Sequence, residues 1–496
     1  EAMNAVLLQN IPTAPYSTNM SNTSCRSSFN VKLLHLRVWG LAIFTFGLTL
    51  FGKTQPVAFP GAEGFGKFTT GGRGGQVMIV SNLNDAGPGS FREAVEAKTP
   101  RIVVFAVSGT IRLSSQVNIR GDVTIAGQSA PGDGICLADH PVSVAGDNVI
   151  IRYLRFRMGD RYQDKGKVHG SGHDDALSAS RRKQLIIDHC SISWSTDECM
   201  SVYGGDSTTL QWNIISEPLD YSYHFEKGDT DYEHHGYGGI WGGAHLSAHH
   251  NLFAHCVSRT PRFNGTRLGA ALERVDFRNN LIYDWGGNNV YGGEGGEYNI
   301  VGNYYRPGPT TSKRVTGRIV NPTRNEAVPF GRFYVAGNHV DGSSAVSTDN
   351  ALGLQVTGTT DPQVIAATSV PTPFPVLDLP VRSAEQAMKD ILAHGGCSLP
   401  NRDTLDLRII RELVAGTGRV IDVQGGFPHG PPFEQTLTAW PSLKNLPAAP
   451  DTDRDGMPDA WERKQRLDPT DPSDAIRQPA GSSYTQIEIY LNSLVK

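Results

Sequence analysis

The chain has 496 residues, 39% of them hydrophobic, and a formal net charge of -4. That length can bury a large core, and the lack of a basic excess argues against nucleic acid as a partner. Its 55 glycines and 30 prolines are spread along the chain, which suits an all-β protein with many turns and excludes a helical bundle.

The first predicted element is a leader over residues 1–54. Lys32 and Arg37 precede an apolar run from Val38 to Phe51. Such a run is short of the ~20 residues a membrane helix needs, and a basic flank before a short apolar core reads as a secretory signal peptide. The mature protein is therefore expected to be secreted, with no membrane span. Cys25, Cys136, Cys190, Cys199, Cys256 and Cys397 show neither CxxC pairing nor framework spacing, and read as small buried apolar residues.

From residue 55 to 349 the text becomes short β-branched runs separated by Gly, Asn and Asp. Examples are Val123–Ile125, Val149–Phe156, Leu185–Ile192, Leu210–Ile215, Val275–Tyr283, Tyr298–Tyr305 and Phe333–Val340. His189, Asn213, Asn251, Asn280, Asn303 and Asn338 each mark a polar corner between two runs, in steps of 24, 38, 29, 23 and 35 residues. A base period near 23 with insertions predicts a stacked solenoid, and fits a propeller's longer blade worse. Asparagine suits such corners because it tolerates left-handed backbone and its amide can bond to the next coil. The expected fold is all-β, a right-handed parallel β-helix, with a small mixed, partly helical C-terminal region. Residues 350–445 form an extension in which Ser383–His394 and Leu405–Leu413 have helical spacing.

The tail, residues 446–496, opens on "DTDRDGMPDAWE". Asp451, Asp453, Asp455, Gly456, Asp459 and Glu462 match the EF-hand loop, with the Met457 carbonyl as the seventh-position ligand. A single loop of this kind predicts a structural Ca2+ site.

A second metal site is expected within the solenoid. Asp175 and Asp197 are one near-23-residue coil apart, which places the two carboxylates side by side, since neighbouring strands lie about 4.8 Å apart. Their repulsion calls for a cation, and Glu198 is a third candidate ligand. Asp188 reads as a turn residue. Further on, Arg259 and Arg262 flank Pro261, which fixes the chain direction between two guanidinium groups suited to an anionic substrate.

Together these stretches resemble family 1 pectate lyases. The resemblance is carried by "AFPGAEGFG", "DALSAS…LIIDHCSISWSTDE", "GYGGIWGG" and "SRTPRF", and the tail resembles calcium-loop tails of secreted bacterial lyases. It implies a calcium-dependent β-elimination on pectate or a related acidic polysaccharide, giving 4,5-unsaturated products. By position it implies Asp175 and Asp197 as ligands of a catalytic Ca2+ and Arg259 as the residue that takes the C5 proton. Three positions depart from the family pattern. A third acid falls at Ser201, with Glu198 as its substitute. A substrate-gripping lysine falls near Tyr237, with Lys227 or His235 as replacements. A second arginine falls at Asn264, leaving Arg262 as the nearest cation. A monomer is expected. The rival enzyme is a polygalacturonase-like hydrolase with acids spaced around a water. A third possibility is a non-catalytic polysaccharide-binding β-helix that uses Trp194, Trp212, Trp241 or Trp285 as sugar platforms.

Overall fold

The computed structural model describes residues 55–161, 174–224, 231–269, 272–377, 379 and 382–495. The expected leader and Lys227 lie outside these residues. The strands pair in parallel into three sheets that wind around a common core. The first sheet climbs through Gln76–Val80, Arg101–Phe105, Val123–Ala126, Val149–Arg152 and Lys183–Asp188, and on to Arg332–Ala336. The second runs from Gly109–Arg112 to His339–Val340. The third runs from Val117–Ile119 to Asn321–Pro322. At Met200–Gln211 one long strand passes from the third sheet into the first without a corner. This is a parallel β-helix.

In-register stacking explains why each coil carries one apolar residue at the same place. In the first sheet Val103, Ile125, Ile151, Ile187, Leu210, Ala248, Phe277 and Ile300 lie above one another. All eight are fully buried, so each strand completes the burial of the next, as a solenoid requires. The helix Phe91–Glu96 buries Phe91, Ala94 and Val95 against the first coils, and Ser90 caps its start by accepting from the Glu93 N–H at 3.2 Å. The helices Ala384–His394 and Thr404–Ala415 lie outside the second sheet, where Ile391, Leu405, Ile409 and Leu413 pack on Leu252, Leu281 and Tyr283. Cys136, Cys190, Cys199, Cys256 and Cys397 are free and buried.

The corner asparagines form a continuous ladder. Each side-chain oxygen accepts from both the backbone N–H and the side-chain amide of the rung before it. This holds from Asn213 to Asn251 (3.0 and 2.9 Å) and onward through Asn280, Asn303 and Asn338. Two details differ from the sequence reading. The left-handed residue is the one before each asparagine, as at Trp212, His250 and Asn279, so asparagine is chosen for its amide and not for its backbone. His189 is such a left-handed residue, and the rung itself is the Cys190 N–H bonded to Asn213. The ladder also continues to Asn350, which begins a short helical turn. His189 instead joins a stack of rings with Tyr153, Trp212 and His250.

Candidate active site

The candidate chemistry gathers where the chain enters the third sheet. Asp175 stands two residues before Leu177, and Glu198 stands two before Met200, the register partner of Leu177. Strict coil register therefore places Glu198 beside Asp175, with Asp197 offset by one. The Glu198 N–H donates to Asp175 Oδ1 at 3.1 Å, and oxygens of Asp175, Asp197 and Glu198 lie within 4.8 Å of one another. Tyr237 bridges to Glu198 one coil on, and Ser258 bridges to Tyr237 on the coil after that. Arg259 follows with left-handed backbone, φ +56°, which turns its side chain back across these coils. Its guanidinium ion-pairs with Glu198 and lies 4.3 Å from the centre of the Tyr237 ring.

Burial holds Asp175 well above the ordinary carboxylate range. The Asp197 charge adds to this, while Arg259 and a hydrogen bond with Ser201 pull the other way. Ser201 therefore touches the acid cluster from the place where the family pattern would put a third acid. The three carboxylates offer only hard oxygen donors, and a divalent cation relieves both their repulsion and their desolvation. Calcium fits this donor set.

The structure separates the other candidates. Arg262 lies in the third sheet, bound to Glu294 at 2.9 Å with 19% of its side chain exposed. Thr323 holds the same Glu294 oxygen at 2.7 Å, an acid that the sequence reading did not single out. Asn264 is fully buried and donates to the Gly265 carbonyl. His235, expected to contact substrate, is instead buried and bonded to Asp197 at 2.7 Å, its ring packed between His224 and Tyr237. It steadies the Asp197 carboxylate and does not reach outward. Asp188 is no turn residue. It is buried in a strand and held far below the usual carboxylate range, because His189 and Arg152 outweigh the penalty of burial. Trp194, Trp241 and Trp285 are buried, and Trp212 is sandwiched between His189 and His250, so these rings are not sugar platforms. A cavity of about 760 Å³ lined by Trp194, Glu217, Arg408 and Glu412 shares no residue with this corner.

In the tail, oxygens of Asp451, Asp453 and Asp455 converge, and Asp455, Glu462 and Asp474 form a second, overlapping triad. Asp459, expected as a ligand, accepts instead from the Thr452 N–H at 2.8 Å and pairs with Arg463 at 3.0 Å. The Met457 side chain is buried against Ile102 and Val104.

No family model matches the chain. Among proteins of known sequence, a probable pectate lyase C of Aspergillus fumigatus is 36% identical over 453 residues, which cover 89% of this chain and 94% of that protein. Its counterpart in Aspergillus terreus is 34% identical over 466 residues, 92% and 98% of the two chains. These relatives are fungal, so the comparison carries the family and not the bacterial type suggested by the tail. Among solved structures, a pectate lyase of Bacillus sp. N165 in complex with trigalacturonate is 17% identical. The match covers 68% of this chain and 98% of that one, with a TM-score of 0.44.

Proposed function

The chain belongs to the pectate lyase family, and we propose that it cleaves pectate, or a related uronate polymer, by calcium-assisted β-elimination where Asp175, Asp197, Glu198 and Arg259 meet. As a member of that family it is a carbon–oxygen lyase, not a hydrolase or a passive sugar-binding solenoid. The observation that supports this location is the meeting, at a single corner, of three carboxylates from two neighbouring coils and an arginine from two coils further on.

Calcium held by Asp175, Asp197 and Glu198 would draw charge from the uronate carboxylate and so acidify the C5 proton. Arg259 takes that proton; the C5–H electrons become the C4–C5 double bond, and the C4–O bond breaks toward the leaving sugar oxygen, which is protonated by water. Tyr237 supports Arg259 from beneath, and His235 orients Asp197. Arg262, braced by Glu294, offers a cation to a second uronate carboxylate. The Asp451–Glu462 loop is a second, structural calcium site.

The basic-flanked apolar run Val38–Phe51 supports export of the mature protein, and among the described residues no helix is long and apolar enough to cross a membrane. The domain reading is a leader over 1–54, a catalytic solenoid over 55–349, an extension over 350–445 and a calcium-loop tail over 446–496. The test is polygalacturonate with and without a chelator, following absorbance of the unsaturated product. New reducing ends without that absorbance would sink the lyase reading, and chelator-resistant activity would sink the calcium reading.

A further inference from the structure

We propose that Asp451, Asp453, Asp455, Glu462 and Asp474 together bind one divalent cation of calcium's class, and that this ion fastens the tail onto the first coils of the β-helix. The inference rests on reading the loop as a calcium site. It changes which residues close that site and what the site is for.

Asp474 lies outside the twelve-residue motif, yet the fold returns it to the loop, with its other oxygen accepting from the Asp468 N–H at 3.3 Å. Glu462 is fully buried and Asp474 is 1% exposed. Both Glu462 oxygens, Asp474 Oδ1, Asp455 Oδ2 and Asp453 Oδ2 are buried without a hydrogen-bond partner. No ion pair with a Lys, Arg or His side chain is found for these five acids among the described residues, whereas Asp459 has Arg463. Two carboxylate triads that share Asp455, with unpaired buried oxygens on four of their five acids, are costly unless a cation sits among them. An all-oxygen set of this size suits calcium, which takes six to eight oxygens.

The ligands are continuous with a docking surface. Met457, Ala475, Ile487 and Leu491 pack on Ile102, Val104 and Ala126 of the first sheet. Gly456 has φ +91°, and a Cβ there would lie 2.9 Å from Val77 and 3.0 Å from Val104, so the loop rests directly on the two opening strands. Arg73 reaches across to Glu488 at 2.8 Å. Without the ion, repulsion among the acids pushes on the same turn that holds Met457 in place.

The experiment is hydrogen exchange on the full chain, stripped of metal and then titrated with calcium. Slowed exchange is expected in Gln76–Val80, Arg101–Phe105 and the two helices of the tail, Asp459–Gln465 and Gln486–Ser493. Asp474→Asn should weaken the calcium dependence of that protection at least tenfold, and Asp459→Asn should leave it within about threefold. Equal protection of wild-type protein with and without calcium overturns the clamp, and this holds even if Asp474→Asn does not fold. Unchanged calcium dependence in Asp474→Asn overturns the ligand set. Failure of the catalytic calcium reading would show separately, as lyase activity indifferent to a chelator while exchange in the first coils still responds.

Discussion

Replacing Arg259 by alanine should move two quantities in opposite directions. Loss of a positioned proton acceptor costs about 10²–10⁴ in rate, so kcat on polygalacturonate should fall by at least a hundredfold. Calcium affinity should rise, because Arg259 is the counter-ion that Glu198 must release before turning to a metal. Two unit charges about 4 Å apart at an effective dielectric near 20 interact by about 4 kcal/mol. Arg259 keeps 22% of its side chain in solvent, and screening leaves about 1–2 kcal/mol, roughly a tenfold tighter Kd. Product absorbance gives the first quantity, and calorimetric titration with calcium in the Asp474→Asn background gives the second. Arg259→Lys, which keeps the charge, should lose activity without the gain in affinity. Full activity in Arg259→Ala would refute the base assignment, and weaker calcium binding would refute the counter-ion argument.

Asn280→Ala removes a fully buried rung that serves Asn251, Asn303 and the Ala248 carbonyl; with about 1–3 kcal/mol per orphaned group, denaturant unfolding should show a loss of about 3–5 kcal/mol. His255 is buried, which disfavours its charge, but its hydrogen bond to Asp284 and the Glu412 carboxylate 3.3 Å from its other nitrogen outweigh that and raise it to about 9. Its contribution is therefore complete below the unfolded value near 6.5 and is lost as pH climbs through 9, up to about 3 kcal/mol; thermal melts from pH 6 to 10 should show this slope, and His255→Gln should flatten it. Glu294→Gln loosens Arg262, so KM for polygalacturonate should rise several-fold with kcat little changed; a fall in kcat alone would contradict a substrate-holding role.

The coil period was readable because parallel stacking forces one apolar residue and one amide per turn. The period put Asp175 and Asp197 side by side, Glu198 was read next to Asp197 as a further acid, and Arg259 and Arg262 came from the run around Pro261, while the roles given to them came from the family resemblance. What escaped was set by insertions and by distance in sequence. His235 meets Asp197 only because a 38-residue excursion returns beside it. Asp474 joins the loop only after a turn that no motif includes, and Glu294 meets Arg262 from the following coil. The helical extension was legible from its 3.6-residue spacing, but its anchors were not. Arg157 reaches out of the second sheet to Asp403 and Asp406, a pairing that local pattern cannot announce.

The asparagine ladder has a direction. From Asn213 to Asn338 each rung donates to the next asparagine on the C-terminal side and accepts from the N-terminal side, so the bonds along the ladder run one way and each polarises the next, while the amide also donates back to a carbonyl of the preceding coil. Because every rung is chemically the same, a whole coil can be gained or lost between two of them without reversing that polarity. Coil number is thus a quantity evolution can change while keeping the corner geometry, and the excursions of unequal length between rungs are where a lyase of this build can vary how it meets its polymer.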